Sequence, residues 1–140
     1  MIKPSYILSW LTIIIALIMI LIGSYWLFYP YKILEFSDPV FPVLTKTVKA
    51  GEQVQYRARY CKYMPIGFTV TRKFIDGIIY TVPSVESNNP TGCHDNVVYI
   101  EVPKNIPAGE FTLEMLYRVK INPIRTIDII MNTEKFNVVK

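Results

Sequence analysis

Cys61, Cys93, His94 and Asp95 carry the most specific chemistry in this chain, and the last three are consecutive. A Cys-His-Asp run suggests a zinc site or a thiolate nucleophile with its base. The spacing suits neither. Zinc takes three or four converging ligands, whereas neighbours on an extended chain point to opposite sides. A cysteine nucleophile needs a histidine close in space and a third group to orient it. Cys61 and Cys93 point instead to one disulfide, since an even cysteine count in a small β-patterned chain suits an oxidising compartment. Two free thiols in a reducing compartment are the alternative. With Cys93 bridged, His94 is expected to be a solvated loop residue.

The eleven Asp and Glu residues are scattered singly, so no pair is spaced for general acid and base work. There is no P-loop, GxGxxG, HExxH, GxSxG or CxxC. No enzyme activity, cofactor, metal or small-molecule substrate is therefore expected. Arg57, Arg59, Lys62, Arg72 and Lys73 fall on one sheet face if the two strands that carry them pair. Such a face would suit nucleic acid or anionic lipid. The net charge is only +4, however, so a solvated face is expected, with no specific nucleic-acid partner.

The first thirty residues decide where these groups stand. From Pro4 to Tyr31 there is no charge, and Ile7 to Phe28 is almost continuously apolar. A helix rises about 1.5 Å per residue, so about 20 such residues cross a hydrocarbon core of about 30 Å. Tyr6 and Trp10 mark one end; Tyr25, Trp26, Tyr29 and Tyr31 mark the other. Such rings favour the headgroup layer. The run is too long for a signal-peptide core of about 7–15 residues and lacks an Ala-x-Ala-like exit. An uncleaved anchor in a lipid bilayer is expected. Lys3 precedes it, and Lys32 follows with Glu35 and Asp38 close behind, a slight bias toward an internal N-terminus. The expected plan is a short cytoplasmic tail over 1–6, an anchor helix over 7–29, a connector over 30–42 and a β-sandwich over 43–140.

Beyond residue 42 the apolar period drops to two. Strands are expected over 43–49, over 53–60 with Val54, Tyr56, Ala58 and Tyr60 on one face, and over 68–74 with Phe68, Val70, Arg72 and Phe74 on one parity. Asp76-Gly77 then predicts a hairpin turn with both residues at positive φ, leading into Ile78. Residues 84–95 (SVESNNPTGCHD) read as a loop. Further strands are expected over 97–102, 111–121, 124–131 and 136–139. Seven or eight strands with turns every 8–12 residues, and no helical period outside the anchor, predict an all-β antiparallel sandwich; a small closed barrel is the alternative. The corner Val102–Leu113, with Gly109 before Phe111, resembles that of immunoglobulin-like sandwiches, although Phe111 lacks the hydroxyl of a tyrosine corner.

The segments YCKYMPIGFTVTRKFIDG, SNNPTGC and INPIRTI behind one N-terminal span resemble small membrane-anchored proteins of bacteriophages. That resemblance implies a bacterial inner membrane or virion membrane, with the β domain periplasmic or on one virion face. It implies no activity. The function expected is a non-catalytic interaction module that meets a protein partner of the membrane or envelope, or a second copy of itself. Its contact surface is expected around Ser84, Glu86, Asn88, Asn89, Thr91, His94 and Asp95, because long loops on rigid scaffolds carry recognition. A structural subunit of a virion or envelope assembly is the first alternative. A phage lysis-control or superinfection-exclusion factor is the second.

Overall fold

A computed structural model describes residues 4–140, so Met1, Ile2 and Lys3, which hold half of the expected tail and its one lysine, lie outside the described residues. The chain divides into two compact units. One comprises the N-terminal residues through Tyr31 together with Asn122–Arg125; the other comprises Lys32–Ile121 and Thr126–Lys140.

The first unit is built on α1 (Pro4–Phe28). Pro4 suits a helix start, where its missing N–H costs nothing, and Pro30 prevents continuation. The helix thus begins inside the stretch expected as a tail. It is apolar all round, and none of its most hydrophobic window is buried: Leu21 is 68 % exposed and Trp10 65 %. Helices without a polar face belong in a large core or in lipid. Between Tyr6 and Trp26 the axis advances about 30 Å at the standard rise. Thr12 Oγ1 donates to the Ser9 carbonyl (2.8 Å), a local bond that satisfies a hydroxyl within its own helix. At the other end, Asn122 Nδ2 donates to the Trp26 carbonyl (3.0 Å) and Arg125 Nη1 to the Tyr29 carbonyl (2.6 Å). The first satisfies one of the carbonyls that a helix terminus leaves open; the second joins the Tyr31 N–H on the Tyr29 carbonyl just beyond the helix.

The second unit is all β, in two sheets. Its strands are β1 (Leu34–Phe36), β2 (Val40–Phe41), β3 (Thr47–Lys49), β4 (Gln53–Lys62), β5 (Phe68–Asp76), β6 (Ile78–Ser87), β7 (Gly92–Glu101), β8 (Gly109–Asn122), β9 (Arg125–Thr133) and β10 (Phe136–Val139). The smaller sheet has the order β1-β4-β7. In the larger, β8 is the spine: β5 and then β6 lie to one side, while β9 and β10 lead to β2 and β3. Alternate residues of β4 and β8 are buried, as the period of two requires. Rings join the sheets: Tyr56 stacks on Phe41 (5.7 Å between centroids), Tyr60 meets Phe68 edge-on (6.2 Å), and Phe36 lies against Tyr117 (4.8 Å).

Six expectations need correction. The stretch 30–42 is no connector, since Ile33, Leu34 and Phe41 belong to the core and β1 and β2 arise within it. Residues 33–49 weave: β1 and Val43 pair with β4 in one sheet, whereas β2 and β3 pair with β9 and β10 in the other. Each contact lasts one to three residues, too short to print a period. For the same reason 43–49 is not one strand, and ten strands form among the described residues instead of seven or eight. Nor is the pairing wholly antiparallel, because β2 with β9 and β3 with β10 run parallel. The stretch 84–95 is mostly strand, because ten-residue β4 needs a partner along its full length and takes β7 from Gly92 onward. The loop shrinks to 88–91. Finally, Gly77 has positive φ (69°) but Asp76 does not.

Candidate functional site

β5 sets the site. Phe68, Val70, Arg72 and Phe74 share one parity, and in register with β8 they face Arg118's neighbour Tyr117, then Met115 and Leu113. Met115 and Leu113 are fully buried, so Arg72 enters the same inter-sheet space. Lys73, one residue on, faces outward and reaches Glu114 (3.8 Å). Opposite Thr71, β6 carries an irregularity at Pro83 and Ser84, which fits a residue without an N–H on a sheet edge. The Thr71 and Ser84 hydroxyls hydrogen-bond there (3.0 Å).

A cleft of about 290 Å³ opens where β6 and β7 each lack a further strand neighbour among the described residues. Its walls include Phe68, Val70, Val85 and Val98; its polar groups come from Tyr56, Tyr60, Tyr117, Arg72, Asn89 and Asn96. Arg72 Nε is buried with no hydrogen-bond partner. Burial pushes the Tyr56 phenol up, and the charge and hydrogen bond of Arg72 oppose it. Burial also pushes the Tyr117 phenol far up, with Tyr56 adding to the effect and Arg72 opposing it. Both phenols are therefore neutral hydrogen-bond groups, not bases. Asn89 Nδ2 donates to the Tyr60 hydroxyl (2.6 Å). Lys62 is only 3 % exposed; its Nζ donates to the Asn89 carbonyl and lies 5.5 Å from the Phe68 ring centroid.

The expected contact residues do not form one loop. Ser84 and Glu86 lie on β6, while Asn88, Asn89 and Thr91 belong to the short connection. Asn88 Oδ1 occupies the place that a Cβ on Gly67 would need. His94 and Asp95 lie on β7. His94 is half-buried rather than solvated: its Nε2 meets the Pro90 carbonyl (2.9 Å) and its ring lies 5.2 Å from Tyr60. Asp95 takes two hydrogen bonds from Arg57 (2.7 and 2.6 Å), which hold its carboxyl below the usual aspartate range. Cys61 and Cys93 are directly opposed on β4 and β7 and form a disulfide, with Cα atoms 3.9 Å apart. Among the described residues no group of three or more His, Cys, Asp or Glu could hold a metal.

The basic face that strand pairing could have assembled does not form. Arg57 and Arg59 point outward but are matched by Asp95 and Asp38, Lys62 is buried, and Arg72 and Lys73 occupy opposite faces. Arg72 is the residue that a surface reading misplaces. Its parity with Val70 and Phe74 is the signal that marks it as internal.

Among the aromatics expected at a membrane interface, Tyr6, Trp10, Tyr25, Trp26 and Tyr29 are exposed and Tyr31 is half-buried. Tyr29 packs against Tyr25 (4.9 Å) and Tyr31 (4.8 Å), and the Arg125 guanidinium lies 5.9 Å from the Tyr31 ring centroid.

No protein-family model and no curated protein matches this chain. The function must be read from the site and the apolar helix alone.

Proposed function

We propose that the chain is a membrane-anchored, non-catalytic binding module. α1 serves as the anchor, and an immunoglobulin-like sandwich on the non-cytosolic side presents the recognition surface. The observation that carries this reading is the helix Tyr6–Phe28, apolar and exposed on every side. Fully burying a Leu or Ile gains about 1.5–3 kcal/mol, so leaving such a helix in water forfeits that gain many times over. The disulfide supports an oxidising compartment, and hence a periplasmic or external β domain. Two mainly antiparallel sheets joined by inward-facing rings support the sandwich family. The resemblance in sequence rhythm to phage membrane proteins suggests a bacterial inner membrane or a virion membrane as the setting. An anchor confines the module to two dimensions, which raises its effective concentration against a membrane partner.

Alkaline extraction of membranes followed by in-cell crosslinking and mass spectrometry tests this. The full-length chain is expected in the extracted membrane pellet, with crosslinks to a protein partner through β6, β7 and the 88–91 connection. Full-length chain in the aqueous fraction would overturn the anchor. A second reading, a structural subunit of an envelope or virion assembly, draws on Val97 and Tyr99, exposed on the outer face of β7. A large homogeneous complex in mild detergent would favour it over the first.

A further inference from the structure

Arg72 is a charge at a core position without a counter-charge. The ion pairs of the described residues use Glu35, Asp38, Asp95, Glu110, Glu114 and Asp128, and none of them reaches Arg72. Its Nε is fully covered and unpaired, at the wall of a cleft that opens between two sheet edges. Removing a guanidinium from water is costly when the hydrogen bond it gains is to a neutral phenol, Tyr56, and a planar carboxylate meeting its terminal N–H groups supplies the missing charge. One guanidinium without a counter-charge balances one negative charge. That favours a carboxylate over a phosphate dianion. Lys62, a buried cation nearby, already has the Asn89 carbonyl and the Phe68 ring. Glu86 at the rim would repel a second negative charge on the ligand. The remaining walls are Val70, Val85, Val98 and tyrosine rings, which suit an apolar stem. A volume of about 290 Å³ holds a side chain or a small acid, just under the usual range for ligand pockets.

We propose that the cleft between β6 and β7 receives a carboxylate carried on an apolar stem, with Arg72 as its anchor and Tyr56, Tyr60, Tyr117 and Asn96 around it. The inference builds on the binding-module reading, in which a partner presents that carboxylate from its C-terminus or a side chain. A free small organic acid is the other source of the same chemistry.

The test is nuclear magnetic resonance of the isotope-labelled full chain in nanodiscs, following the Arg72 Nε–H signal. The probes are phenylpropionate, its uncharged amide, inorganic phosphate, and a short apolar peptide with a free or an amidated C-terminus. Phenylpropionate and the free-acid peptide are expected to shift the signal saturably in the millimolar range or below. Both amides should bind at least about tenfold more weakly, the worth of one charge-assisted hydrogen bond. Arg72→Gln, in which the backbone amide signals of Val85 and Val98 are followed instead, should abolish the binding. Val85→Trp, which fills the mouth from an exposed position without touching the charge, should block it as well and guards against a folding defect in the first variant. A peptide that binds well above phenylpropionate identifies a protein source; the reverse identifies a free acid. No saturable shift, equal binding of the amides, or preference for phosphate would overturn the proposal. If crosslinks to a partner survive in both variants, the cleft reading fails and the module reading stands. If phenylpropionate binds but the wild-type chain crosslinks to nothing, the module reading fails and the cleft stands as a small-acid site.

Discussion

Arg72 and Met115 stand directly opposite each other on β5 and β8, and both enter the space between the sheets. One is fully buried and apolar; the other carries a charge whose Nε has no partner. A protein selected for stability alone would place an apolar residue at both positions. Arg72→Met should therefore raise stability by about 1–3 kcal/mol, the usual cost of a buried unsatisfied group. Urea denaturation with the midpoint shifted upward and an unchanged slope would check it.

The disulfide joins residues 32 apart in sequence. Closing a loop of that length in the unfolded chain stabilises by about 3–4 kcal/mol on the chain-entropy relation. The double variant Cys61→Ala and Cys93→Ala should lose about that much in urea denaturation. β4 and β7 should remain paired, because nine other residue pairs share their register.

Tyr56 and Tyr117 are raised chiefly by burial, so the folded state holds their protons above the unfolded value of about 10. The sign follows from proton counting. The stability tied to these neutral phenols is complete below about pH 10 and declines as pH rises through their folded values. Unfolding on alkaline titration should coincide with late tyrosinate absorbance. Tyr117→Phe should shift that transition to higher pH.

Gly77 has φ of 69°, and nothing lies within 4 Å of where its Cβ would stand. Gly77→Ala meets no clash, so its cost is purely conformational, about 1–2 kcal/mol. Thermal melting should fall accordingly. Gly67→Ala is a different case: there the Asn88 side chain must move, and hydrogen exchange across 88–91 should speed up.

The amino-acid order was enough to show the long apolar helix and the alternation of β4, β5 and β8, because a run of apolar residues and a period of two are local properties. It also carried two deeper signals. Cys61 and Cys93 pointed to one bridge, and Arg72 shared the parity of the core, although grouping it with Lys73 and Arg57 hid what that meant. What the chain order left open was decided by long-range pairing. The stretch 84–95 looks like a loop by composition, yet much of it is strand because β4 offers an edge to it. Residues 33–49 look irregular because they serve two sheets in turn. Asp38 and Asp95 neutralise Arg59 and Arg57, and no acid reaches Arg72; those outcomes depend on which strands become neighbours. A charge and its counter-charge are chosen in space, so only the folded chain could show which guanidinium was left without one.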